Sequence, residues 1–396
     1  MKPAKAVIIS SSATIVCALP MMLTGGLAVQ MTAEFGFGAA ALGLVIAVFR
    51  GTSSGTTFLW GKATDRLGAT VALRIAATVS AFSCAGVALS RSFGWLLVWM
   101  VVGGTGIAIA LPATNRLIVN RVPLERRGLG FGIKQSSLPA ASVLAGLSVP
   151  LFALTIGWRY AFWLGTLLAL GVLIGIGKRS PQARQISRNR PKPPPVERRP
   201  LILLMAVAFG IGNFASSAMP AFYVDAAVEA GTSVSLAGAV LAAASIAAIA
   251  VRFSSGIASD RIPSGHLYLC AGLLSVGAIG QGLLATARPG MMAAGVLIGM
   301  GGVWGVNGVF WYALMRAYAS APGTATGVVA TIGHAGGTLG PLAFGAIAET
   351  ASYAAAWTAC GLAAIAAAAA MSLAARSLRR NPTTQDSAVA QGGART

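Results

Sequence analysis

Two arginines stand inside apolar stretches where a guanidinium is expensive to keep. Arg50 closes the run LGLVIAVF, and Arg252 follows the run LAAASIAAIAV. An arginine at the centre of a membrane-crossing helix costs roughly 2.5–3.5 kcal/mol on the most lenient insertion scale, so each must face a cavity or a partner. The nine acidic residues give little choice of partner. Glu34, Asp225, Glu229 and Glu349 fall at one set of ends of the apolar runs, and Asp65, Glu125, Glu197, Asp260 and Asp386 fall on the other side. Arg252 is near the Asp260 turn, whereas Arg50 has no acid at its own depth. Lys134 and Gln135, Asn213, Tyr223, Trp304, Asn307 and His334 are further polar groups within apolar runs, as are Asn115, Arg116 and Gln281. Singly, each reads as a hydrogen bond between helices. Together they form a cationic set rich in donors, which suits a carboxylate or oxyanion held by charge-assisted bonds.

The elements that must position these residues are long apolar helices. The chain has 396 residues, 56% hydrophobic and only 10% charged, against about 25% charged in a typical soluble domain. Apolar runs near 6–29, 38–60, 70–90, 94–118, 130–153 and 157–177 precede a basic stretch, and runs near 202–224, 234–256, 266–287, 290–315, 323–347 and 352–374 follow it. Each approaches the ~20 residues needed to cross a bilayer. A first run this long, with so many after it, reads as a retained span and not a signal peptide. The expected fold class is all-α: twelve transmembrane helices in two six-helix bundles related by pseudo-twofold symmetry. The expected divisions are a first bundle over 1–177, a basic Pro-rich linker over 178–200, a second bundle over 201–375 and a disordered tail over 376–396.

The net charge of +20 raises nucleic acid as a partner. The basic residues, however, sit in short loops between apolar runs, the pattern of the positive-inside rule. That rule places both termini and the linker in the cytoplasm, with the bilayer as partner and no nucleic acid. Cys17, Cys84, Cys270 and Cys360 fall singly in apolar segments, as packing residues and not as disulfides or metal ligands. No cofactor and no catalytic or metal-binding set is expected. There is no HExxH, no GxSxG and no Walker-type lysine, so a multi-span enzyme and direct ATP drive are remote alternatives. A receptor lacks a soluble sensing domain.

The two halves echo each other. Gly61, Asp65 and Arg66 answer to Gly256, Asp260 and Arg261 about 195 residues later, and Gly103-Gly104 answers to Gly301-Gly302, as expected for parallel repeats. With the doubled loop motif, the twelve runs and the central basic stretch, residues 6–375 resemble the major facilitator superfamily of secondary transporters. The resemblance implies alternating access to a midplane site by a chain functional as a monomer in the cytoplasmic membrane. It also implies a gating role for Asp65, Arg66, Asp260 and Arg261, weakened by Ala63, Ala69 and Thr70 where the family's loop differs. The place of Arg252, with the run Gly333-His334-Ala335-Gly336-Gly337, is similar to monocarboxylate and nitrate/nitrite porters. Thr57 stands where nitrate porters carry an arginine, and the fifth run lacks their Asn-Gly signature. Met100 and the missing Gly-Pro kink of the fifth run count against the alternative, a proton-coupled drug or metabolite exporter. A small anionic substrate is therefore the expectation, exchanged for a counter-anion or coupled to H+. His334 is the titratable group placed to carry that proton.

Overall fold

A computed structural model describes residues 3–123, 126–177, 199–262, 264–318 and 322–380. Residues 178–198 of the linker and 381–396 of the tail lie outside the described residues, as does the side chain of Asp260, whereas 199–200 and 376–380, assigned to the linker and the tail, belong to the helices beside them. The described residues are helical throughout, without strands.

The first half comprises α1 (Pro3–Gly26), α2 (Ala28–Phe35), α3 (Ala39–Leu67), α4 (Ala69–Ala88), α5 (Phe93–Arg121), α6 (Arg127–Gln135), α7 (Ser137–Ser148) and α8 (Arg159–Gly175). The second comprises α9 (Arg199–Ser217), α10 (Met219–Glu229), α11 (Val234–Arg261), α12 (His266–Leu284), α13 (Pro289–Ala317), α14 (Pro322–Thr350) and α15 (Tyr353–Arg380). Ten stretches are long and apolar enough to cross a membrane, counting Leu129–Ala153 and Pro200–Glu229 as one each. The apolar Arg159–Gly175 is shorter, at 17 residues. With Arg159–Gly175 and the 29 residues of α14, the described residues make six helical passes in each half.

Three of the runs expected to be continuous are broken. The first pauses at Leu27 between α1 and α2, and the seventh between Ser217 and Met219. The fifth pauses at Ser136 and ends in a π-helical turn, Val149–Ala153, where Pro150 cannot donate to the regular ladder. Within the second half, glycines let α12 and α13 touch backbone to backbone: a Cβ on Gly295 would stand 2.7 Å from the Gly280 carbonyl oxygen.

The halves meet along three seams. In one, Gly43 and Gly345 bring α3 against α14, with a Cβ on either glycine colliding with the opposite backbone. In another, Gly146 of α7 faces Gly238 of α11, where a Cβ would lie 2.6 Å from the Gly238 oxygen. In the third, a Cβ on Gly25 of α1 would lie 2.6 Å from Pro220 and Ala221 of α10. All three cluster towards the end of the molecule that carries Glu349. Along α3, Leu42, Val45, Ile46 and Phe49 are buried, but no residue from Gly51 to Ala63 is. The halves are thus sealed at one end and parted towards the end that carries Lys62, Arg66 and Arg261.

Candidate functional site

The site begins with backbone that proline has left incomplete. Pro139 has no N–H, so the carbonyl of Gln135, one turn earlier, lacks its helical donor. Arg252 supplies one across the boundary between the halves: its Nη1 donates to the Gln135 oxygen. Arg252 Nε donates to the Trp304 carbonyl oxygen at 2.8 Å, and the guanidinium lies 5.6 Å from the Trp304 ring. Pro220 deprives the Ser216 carbonyl in the same way, and Trp304 Nε1 donates to it at 3.4 Å. Gln281 Nε2 donates at 2.7 Å to the neighbouring Ala215 carbonyl, at the α9–α10 break. Polar side chains placed among apolar helices therefore answer carbonyls exposed by breaks in two spans.

Arg50 is differently situated. Its Nε is buried, and none of its guanidinium nitrogens has a hydrogen-bond partner among the described residues. It leaves α3 towards α14, where Gly337 makes room: a Cβ there would lie 2.7 Å from Arg50 Nη1. His334 lies one turn away from Gly337 on α14. In the second repeat the position of Arg50 is held by Ser245, whose hydroxyl, unlike the guanidinium, has a partner across the opposite seam: it donates to Ser142 of α7 at 2.9 Å.

Lys134, only 4% exposed, donates to Asn115 Oδ1 at 3.1 Å. Asn213 and Asn307 line one cleft with Ser216 and Phe209. Asn213 Nδ2 donates to the Phe209 carbonyl at 2.9 Å, and a Cβ on Gly333 would approach Nδ2 to 3.5 Å. Hydrogen bonds thus link Asn213 and Ser216 through Trp304 and Arg252 to Gln135, next to which Lys134 holds Asn115; among the described residues no hydrogen bond joins Arg50 or His334 to this group. Tyr223 does not join it among the described residues; it is 1% exposed in α10, beyond the break and towards the sealed end.

Four of the described carboxylates are engaged elsewhere. Between described side chains there are two ion pairs, Arg116–Asp65 at 2.5 Å and Arg159–Glu34 at 2.6 Å. Asp225 accepts from the Tyr353 hydroxyl, and Glu349 from the backbone N–H of Ala40. Asp65 and Arg116 belong to α3 and α5 of the same half, so this pair braces one bundle and does not itself bridge the two. Arg66 and Arg261 are exposed at the parted end. The role of Arg116 was hidden in the sequence because nothing there joins positions so far apart; a basic residue late in an apolar run was the available sign.

The family model described as Major Facilitator Superfamily matches residues 10–341. The chain belongs to that family. Its fold is similar to a solved D-xylose–proton symporter, with a TM-score of 0.77 at 15% identity over 94% of this chain and 97% of that one. Among curated relatives, the hexuronate transporter of Bacillus subtilis is 28% identical over 132 residues, 33% of this chain and 31% of that protein. This superfamily member thus matches less than a third of that relative's length. The probable nitrate/nitrite transporter NarK2 of Mycobacterium tuberculosis is 28% identical over 315 residues, 72% of this chain and 74% of that protein.

Proposed function

We propose that this superfamily transporter carries a small organic or inorganic anion by alternating access, with Arg50 and Arg252 supplying the charge that holds it. The observation that carries the reading is the unpartnered guanidinium of Arg50, at mid-length of α3 on the seam between the halves. A cation buried without an acceptor is unfavourable until an anion arrives. Arg252 supports the same reading. Its Nε and Nη1 serve two carbonyls, which fix the group without neutralising it.

In this reading Lys134 and Gln135 orient the substrate, Asn213, Asn307 and Trp304 shape its pocket, and His334 stands beside the charge. Tyr223, buried beyond the break, is left out of this set. Asp65, Arg66, Asp260 and Arg261 govern the parted end. The anion specificities in the names of the hexuronate and nitrate/nitrite relatives agree in sign with this choice. The basic loops favour, by the positive-inside rule, a cytoplasmic parted end; a place in the inner membrane and function as a monomer belong to the same reading through the superfamily resemblance. A site bearing two fixed cations is costly to carry empty through a closed barrier, which favours anion exchange; proton coupling through His334 is the other mode.

The test is a thermal-unfolding screen of the purified protein against carboxylates, oxyanions and lipophilic cations, with Arg50→Ala in parallel. Stabilisation by one anion class, lost in the variant, is the expected result. Stabilisation by lipophilic cations, equal in both proteins, would replace the reading with that of an exporter.

A further inference from the structure

The sealed end carries a contact that the transport site does not need. Helix α3 begins after Gly38, an extended residue with no side chain to cap the first turn. The missing cap comes from the other half of the molecule: Glu349, in the last turn of α14, accepts the N–H of Ala40 on Oε2 at 2.7 Å. Gly38 leaves the space for it, since a Cβ there would stand 2.5 Å from the same oxygen.

The repeat supplies the control. The position of Gly38 in the second half is Ser233, and Ser233 caps its own helix, its hydroxyl accepting from the Leu236 N–H at 3.3 Å. One copy of this helix start is self-sufficient and the other is completed from across the seam. Glu349 also stands where its own helix disfavours it. A carboxylate in the last turn of α14 meets the negative end of that dipole, whereas at the first turn of α3 it meets the positive end. The favourable half of that arrangement exists only while the two bundles touch.

We infer that Glu349 is the latch of the sealed end: its carboxylate caps α3 when the halves are closed there, and the cap must break for that end to open. The inference rests on alternating access but not on the identity of the substrate. A helix cap of ordinary strength corresponds to a shift of about five- to tenfold in the ratio of closed to open molecules.

The experiment uses the full chain in lipid nanodiscs, with spin labels on the exposed residues Arg91 and Arg288 of the two halves, introduced as Arg91→Cys and Arg288→Cys. The four native cysteines are buried. The distance distribution is read without substrate. In Glu349→Ala and Glu349→Gln the longer, open distance is expected to gain about five- to tenfold over the closed one. Adding Gly38→Ser to Glu349→Ala gives α3 a cap of its own, as Ser233 does for α11. It should restore thermal stability while leaving the distance ratio shifted, because the new cap no longer depends on the other half. Unchanged distances in both Glu349 variants would overturn the latch. So would a Gly38→Ser protein in which stability and closed distance return together, since the contact would then only hold the helix. Failure of every anion to bind would sink the proposed substrate class and leave this result standing.

Discussion

Arg50 of α3 and Gly337 of α14 face one another across the seam between the halves, so close that a Cβ on Gly337 would lie 2.7 Å from Arg50 Nη1. The atom in the way is the far end of a flexible side chain, which can move aside without disturbing either backbone. Gly337→Ala should therefore fold with an unfolding temperature close to that of the parent. The guanidinium, however, is displaced from the position in which the proposed anion would meet it. Loss of one charge-assisted hydrogen bond, about 1.5–3 kcal/mol, corresponds to roughly ten- to hundredfold weaker binding. Titration of both proteins with the stabilising anion checks this. Equal affinities would place the anion away from Arg50.

The Lys134–Asn115 contact tests whether the buried amine depends on its one acceptor. Lys134 is 4% exposed and bonded to Asn115 Oδ1. Asn115→Leu strands a buried ammonium and is expected to cost about 1–3 kcal/mol of stability. Lys134→Met in the same chain removes the stranded charge and should recover most of the loss. Thermal unfolding of the four proteins closes the cycle; additive losses would mean that the two side chains do not act as a pair.

How much of this was legible beforehand follows from particular residues. The apolar run lengths and the doubled Gly61/Asp65/Arg66 motif were enough for twelve spans in two bundles, because in a bilayer length and polarity dictate the element. Arg50 stood out for the same reason: a lone cation at mid-span must have a use. The pairing of Arg252 with Gln135 was only half visible. Pro139 announced a bare carbonyl one turn upstream, but which helix would supply the donor is a matter of tertiary packing. Arg252 meets two backbone carbonyls, those of Gln135 and Trp304, while the side chain of Asp260, the acid its sequence position offered, lies outside the described residues. The capping of α3 by Glu349 was not legible at all, since an unremarkable glycine and a distant glutamate acquire meaning only once α3 and α14 cross.

The Asp65–Arg116 pair makes a prediction of small effect. It spans 2.5 Å, but its side chains are 61% and 23% exposed, so water and salt screen it. The coupling energy from the cycle of Asp65→Asn and Arg116→Gln should be no more than about 1 kcal/mol and should shrink with added salt. A larger value that survives high salt would show the pair to be shielded from solvent in the working protein, as a contact at a closed gate would be.

At the sealed end, Arg159 grips both oxygens of Glu34 at 2.6 Å and also donates to the carbonyls of Ala88 and Ser90, tying α2 to the start of α8 and the end of α4. Trp158 Nε1 adds a bond to the same carboxylate at 2.7 Å. The Arg159 hydrogen bond, against a smaller opposing effect of burial, holds the Glu34 carboxyl below its ordinary value of 4.5. A carboxyl lowered in the folded state contributes stability that is complete above the unfolded value and is lost as pH falls through the folded one. The increment should thus be intact near neutrality, begin to fade around the ordinary carboxylate value and be gone below the lowered one. Unfolding temperatures of the parent and Glu34→Gln, followed from about pH 7 to about pH 3, should converge over that range. The gap at neutrality will be modest, since the pair is partly exposed. A gap that persists unchanged into acid would mean that Arg159 holds this corner through its carbonyl bonds alone.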